Sequence, residues 1–318
     1  MISQRPRHHT RIGLLLVLLL GPLTAAPVQA DAIYQRIEDH PFATLDGLTL
    51  YMDIFIPTGE APPQFAPGNQ GQGLGILQVV SGSWHSDRSR FRPHEVAQVY
   101  NLLCARGYTM FAVRPGDRDN YTLKEMLEHV RMGIRYVKAH AAQWDIDPER
   151  LGLMGASAGG HLAALAALDS QPGAPDHRNN LLRQDTSVAA TALFFPPTDF
   201  MDWKDGDFLS QAPGLLSLFF APDEQPQSLA EITERVKAIS PLYRVAGNHP
   251  PFFIAHGDAD SIVPVTQSRK LVAALEDADV AVQYQEIRGV GHNWPTLPVQ
   301  VLDMVNWFDR QLSTSECE

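Results

Sequence analysis

Hydrophobic and polar positions change their period along the chain in a regular way. Residues 50–56 alternate apolar and polar as a half-buried strand does, and residues 74–80, 110–113, 151–154, 192–195 and 252–255 are short apolar runs of the kind that fill a strand covered on both faces. Between them, residues 95–106, 123–142, 158–168, 266–276 and 299–312 carry apolar side chains at three- and four-residue spacing, the first ending at Gly107. A further strand falls at 283–288. Strand alternating with helix predicts an α/β fold with a mostly parallel central sheet and helices on both faces.

Two stretches break the rhythm. Residues 58–73 are rich in Pro, Gly and Gln and read as an exposed loop. Residues 198–243 form a long insertion before the strand at 252, with an internal apolar segment at 215–220. Its length suggests a cap, with Leu215, Leu216, Phe219 and Phe220 either lining a pocket or docking the insertion on the sheet.

The first thirty residues stand apart. Arg5, Arg7 and Arg11 precede an apolar run at 12–20 that is short for a membrane span, and Val28-Gln29-Ala30 offers small residues for cleavage. The expectation is a signal peptide over residues 1–30, cleavage near Ala30, and a secreted or periplasmic single domain over 31–318 with no membrane contact in its mature form. Without those three arginines, 22 basic residues face 36 acidic ones, and the net charge moves from −11 to −14. So acidic a chain repels phosphate backbones, which argues against nucleic acid as a partner. Cys104 and Cys317 are the two cysteines. A disulfide is open to them, yet Cys104 sits among apolar helix positions and reads as a packed small side chain. No CxxC or zinc spacing occurs, so the cysteines carry no chemistry.

The chemistry gathers at GASAGGH, residues 155–161. Ser157 lies between the strand at 151–154 and the helix at 158–168, where a tight turn raises a nucleophile and requires almost no side chain at Gly155 and Gly159. The N–H of Ala158, at the head of the helix, then points at a developing oxyanion. A serine hydroxyl needs a base and a group to orient it. Asp260, in GDADSIVP after the strand at 252, and His292, in GVGHNW after the strand at 283, fall in the expected loops in the order Ser, Asp, His. Asp258 and, from a neighbouring loop, Asp199 are the competing acids. The triplet His256, Asp258 and Asp260 resembles a metal cluster only on paper, because no further ligand lies nearby. His161 reads as a packing residue; His85 and His94 are loop residues near the site with no assigned role. The second oxyanion donor should come from Gly82 or Ser83 after the strand at 74, with Trp84 walling the pocket. Phe219, Phe220 and Trp294 complete the expected substrate-binding set.

GASAGGHLA preceded by DIDPERLGLM, then SPLYRV..NHPPFFIAHGDADSIVP, then GVGHNW, together with RGYTMFAVR and FFPPTDF, resembles the α/β-hydrolase superfamily. Within it the chain is similar to esterases that include the bifunctional feruloyl and acetyl xylan esterases, which border on prolyl-oligopeptidase-like enzymes. The resemblance spans nearly the whole chain after residue 30. It implies a sheet of about eight strands, a Ser157, Asp260 and His292 triad, hydrolysis of an ester through an acyl-enzyme, and no cofactor. The substrate would be a small-molecule or carbohydrate ester, such as an acetyl or feruloyl ester of plant carbohydrate. Relatives often carry His-Gly-Gly-Gly-Trp where this chain has Val80-Ser81-Gly82-Ser83-Trp84, so the substrate class transfers less firmly than the triad. An exopeptidase of the prolyl-oligopeptidase type and an inactive hydrolase scaffold acting as a binding protein are the alternatives. Oligomeric state is not legible.

Overall fold

A computed structural model describes residues 33–313 except 46, 205, 207–212, 222, 223, 225 and 227. The expected signal peptide and Cys317 lie outside the described residues. Eight strands, β1 (Tyr34–Leu45), β2 (Leu48–Pro57), β3 (Gly75–Val79), β4 (Thr109–Val113), β5 (Gly152–Ala156), β6 (Ala190–Phe194), β7 (Phe252–Gly257) and β8 (Val282–Ile287), form one sheet in the order β1-β2-β4-β3-β5-β6-β7-β8. From β4 to β8 every pairing is parallel; β1 with β2 and β2 with β4 are antiparallel. The fold class is the one the sequence predicts.

The short apolar runs form the strands because both faces of the sheet are covered. On one face lie α3 (Leu123–Ala139), α4 (Ala158–Leu168) and α6 (Thr266–Asp277), packed with Leu77, Phe111, Leu153 and Ile254. On the other lie α1 (Phe91–Val96), α2 (Val99–Ala105) and α7 (Leu297–Leu312), packed with Ile76, Met110, Met154 and Phe253. Adjacent residues of one strand go to opposite layers, as the pleat requires. Cys104 is buried in the second layer, with its Sγ 4.0 Å from the Phe55 carbonyl.

Three features depart from the sequence reading. Strand β1 went unrecognised because an edge strand keeps polar residues such as Gln35, Glu38 and Asp39 on its exposed side. The helix expected at 95–106 is two helices, broken where Gln98 adopts φ 62°. The insertion contains α5 (Leu229–Ala238), whose N-cap Ser228 accepts from the Glu231 N–H at 3.2 Å. That Ser-x-x-Glu spacing was a readable start signal.

No helix among the described residues is long and apolar enough to cross a membrane.

Candidate active site

Ser157 occupies the turn from β5 into α4 with φ 52° and ψ −124°, a conformation costly to any residue with a Cβ. The turn is over-determined by its surroundings. The Ser157 N–H donates to the Phe194 carbonyl at 2.9 Å, and the Gly159 N–H to that of Ser81 at 3.2 Å. A Cβ on Gly155 would lie 2.3 Å from the Gly159 carbonyl oxygen, and one on Gly159 would lie 2.3 Å from that of Val79. Both glycines are therefore required by close backbone approach.

His292, in the loop between β8 and α7, brings Nε2 to 2.9 Å from Ser157 Oγ, and its Nδ1 lies 2.7 Å from Oδ2 of Asp260. With the carboxylate as acceptor, Nδ1 carries the proton, and the other nitrogen is left to accept from the serine hydroxyl. Phe195 backs the imidazole, with ring centroids 4.4 Å apart. Asp260 follows β7 with no side-chain exposure, and its Oδ1 accepts from the amides of Ile262 and Val263 at 2.8 and 3.0 Å. Burial alone would favour its neutral form. Hydrogen bonds from His256 and His292, with the His292 charge and the Val263 amide, outweigh that effect and hold the carboxyl well below the usual carboxylate range.

The competing residues turn elsewhere. Asp258 Oδ1 accepts from the Gly289 N–H at 2.6 Å, and Asp199 pairs with Lys270 at 2.8 Å. His161, wholly buried, accepts at Nδ1 from the Trp84 indole at 3.2 Å and donates from Nε2 to the Ile239 carbonyl at 2.7 Å, while burial pushes its imidazole down to about 4. Among the described residues no group of three or more His, Cys, Asp or Glu converges as a metal site.

His256 has a part that the sequence reading missed. Its Nε2 faces two acceptors, Asp260 Oδ2 at 3.2 Å and the Val263 carbonyl at 2.9 Å, so that nitrogen carries a proton. Nδ1 meets Ser268 Oγ at 2.7 Å. The signal was its place two residues before Asp258 at the end of β7.

The loop after β3 settles differently from expectation. Gly82 and His85 exchange both backbone hydrogen bonds, at 2.9 and 3.0 Å, across a tight turn whose central residues Ser83 and Trp84 have φ 51° and 58°. The Gly82 N–H is thereby engaged and is not free for an oxyanion. The Ser83 N–H donates to no described residue, and Ser83 borders the cavity at Ser157. Ala158 heads α4, where first-turn N–H groups have no intrahelical acceptor.

A cavity of about 210 Å³ opens beside Ser157 and His292, with apolar walls from Val99, Met154, Phe194, Phe195, Leu297 and Val301 and with Arg90 and His94 among its lining. None of the four expected substrate-binding residues lines it. The positive φ of Trp84 turns its indole inward, onto His161 and Phe200. Trp294 is buried edge-on to Phe195 and donates to Gln300 at 2.9 Å. Phe219 packs edge-on to Phe200, and Phe220 lies under Arg235 at 4.6 Å. Of the two readings of the insertion, these phenylalanines follow the docking one, and no described residue of 198–243 lines the cavity. The side chain of Leu215 lies outside the described residues; Leu216 is partly exposed.

The BD-FAE family model matches residues 64–275, about two thirds of the chain. Two Mycobacterium tuberculosis proteins are similar in sequence: a probable carboxylic ester hydrolase, LipM, is 29% identical over 70% of this chain and 49% of its own length, and the esterase LipQ is 29% identical over 72% and 52%. The chain thus spans about half the length of the curated relatives it matches. Among solved structures, a truncated carbohydrate esterase from gut microbiota superposes with TM-score 0.71 at 22% identity, covering 90% of this chain and 99% of that one. An acetyl ester-xyloside bifunctional hydrolase from Caldicellulosiruptor lactoaceticus gives 0.64 at 21%, covering 83% and 89%.

Proposed function

The chain belongs to the BD-FAE family, and on that footing we propose that it hydrolyses carboxylic esters through an acyl-enzyme formed on Ser157. The observation that carries the reading is the unbroken line from Ser157 Oγ to His292 Nε2 at 2.9 Å and from His292 Nδ1 to Asp260 Oδ2 at 2.7 Å, set at a strained strand-to-helix turn. His292 takes the hydroxyl proton as Oγ bonds to the ester carbonyl carbon, and the carbonyl electrons move onto oxygen. The N–H groups of Ala158 and Ser83 receive that oxyanion. Collapse expels the alcohol, which leaves with the proton from His292. Water then repeats the sequence on the acyl-enzyme, and the free acid departs. Asp260 fixes the His292 tautomer and stabilises its cationic form throughout.

Acetyl and feruloyl esters of carbohydrate are the substrates we assign, in keeping with the family and with the ester-hydrolase names of LipM and LipQ. Export, with a mature chain beginning at Asp31, belongs to the same reading, and N-terminal sequencing of the processed protein tests it. The function is tested by labelling with a fluorophosphonate probe, followed by a panel of acetylated xylan, feruloyl esters, p-nitrophenyl acetate and aminoacyl anilides. Labelling at Ser157 with ester turnover is expected. Turnover of anilides alone would move the chain to the exopeptidase class, and absence of labelling would leave a binding scaffold.

A further inference from the structure

The cavity beside Ser157 is walled largely by apolar side chains, yet one short segment sends two strongly polar ones into its lining. Arg90 closes the 3₁₀ turn Arg88–Arg90, and His94 lies in α1, which follows directly. The Arg90 stem crosses the oxyanion loop, with Cδ 3.2 Å from the place a Cβ on Gly82 would take. Its Nε donates to Asp87 at 3.0 Å, whereas Nη1 and Nη2 donate to no described residue. His94 is only 9% exposed, and among the described residues its ring has no hydrogen-bond, ion-pair or aromatic partner. Burial pushes the imidazole down to about 4, so at neutral pH it is uncharged and presents one donor and one acceptor nitrogen.

A polar ring that has no protein partner and lines a cavity is answered by whatever fills that cavity, so a ligand that displaces water there without a hydrogen-bonding atom of its own binds at a cost. A plain alkyl group in this cavity would leave the imidazole unanswered and the guanidinium to solvent alone. We infer that Arg90 and His94 form a polar subsite that hydrogen-bonds an oxygen function, hydroxyl or carboxylate, carried by the ester that Ser157 attacks. The inference rests on the ester-hydrolase reading and narrows its substrate class to esters polar on the side that enters the cavity. A hydroxyl would use both side chains. A carboxylate would draw mainly on the Arg90 charge, since Arg favours anionic oxygen and a neutral imidazole does not.

The test compares two series of small esters in the full-length processed protein. In the acyl series, ethyl 3-hydroxybutyrate and monoethyl succinate are set against ethyl butyrate. In the alcohol series, 2,3-dihydroxypropyl acetate is set against butyl acetate. The readout is the ratio of kcat/KM for the oxygen-bearing ester to that for its alkyl counterpart. In at least one series that ratio should fall by about tenfold or more in Arg90→Met, and for a hydroxylated ester in His94→Phe as well, the effect of losing one hydrogen bond to a buried or charged group. A fall confined to monoethyl succinate and to Arg90→Met identifies a carboxylate; a fall on the hydroxylated esters in both variants identifies a hydroxyl.

Ratios that stay within about twofold in both series and both variants, at unchanged melting temperature, overturn the subsite. Arg90→Met alters a half-exposed side chain and supplies the answer should His94→Phe fail to fold. If the wild type turns over none of the five esters, it is the ester-hydrolase reading that fails; turnover of alkyl esters with flat ratios removes the subsite alone.

Discussion

His256 and His292 converge on a single oxygen, Oδ2 of Asp260, at 3.2 and 2.7 Å. Because Oδ1 is held by two backbone amides, the carboxylate has little freedom left. In His256→Leu one of the hydrogen bonds to Oδ2 is lost, and the carboxylate is held less firmly against His292. We expect kcat/KM to fall by on the order of tenfold to a hundredfold, the loss of one charge-assisted bond. A rate within about twofold of wild type would reduce His256 to a packing residue.

Asp260→Asn should lower kcat by about 10⁴-fold through the wrong imidazole tautomer, whereas Asp258→Asn, which keeps an oxygen to accept from the Gly289 N–H and loses only the charge, should cost less than about tenfold. The folded Asp260 carboxyl is held below its unfolded value, so the stability it contributes is complete above about pH 5 and drains away as pH falls below about 4. Denaturant titrations should therefore find the gap between wild type and Asp260→Asn widest at neutral pH and narrowing in acid. A gap that widened in acid would reverse the sign of this assignment.

Ser157→Ala should lose about 10⁴-fold in turnover and all fluorophosphonate labelling. Ser157→Gly loses the same hydroxyl but relieves φ 52°, so it should be more stable than the alanine variant by about 1 kcal/mol. Equal stability would mean that the turn holds no strain.

Gly155→Ala brings a methyl group to 2.3 Å from the Gly159 carbonyl oxygen, on backbone that cannot swing aside. A destabilisation of about 3 kcal/mol or more is expected from overpacking, read as a lower denaturant midpoint, together with loss of turnover. A variant with wild-type stability would show that the turn has room the geometry denies.

His161 is neutral when folded, with its imidazole at about 4, and takes up a proton near 6.5 when unfolded. Between those values the unfolded state binds the extra proton, so stability falls as pH drops from about 6.5 to about 4. His161→Gln should flatten that part of the profile of melting temperature against pH. An unaltered slope would transfer the effect to other buried histidines such as His94.

The turn at Ser157 was legible because sterics and the requirement for a raised hydroxyl constrain the same few positions: Gly155, Ser157 and Gly159 stand at fixed offsets between two readable elements. Asp260 and His292 were legible because strand ends are where partners of such a serine must come from. The cavity wall was not. Met154, Phe194 and Val301 belong to three separate elements and meet only when the sheet is assembled, so no local pattern marks them. Trp84, Phe219, Phe220 and Trp294 misled for the converse reason: a large aromatic side chain beside a site residue or in an insertion is as readily spent on the core. Strand β1 was hidden by its charge, and the break at Gln98 by a helical period that continues across it.

Ile239 meets the Nε2 of His161 through a main-chain carbonyl, and the same imidazole holds the indole of Trp84 in the oxyanion loop. A carbonyl is present whatever side chain residue 239 bears. At residue 239 the insertion is thus moored to the site by backbone position, and the side chain there is free to vary. A change in the insertion's length just before residue 239 would be felt at the loop after β3.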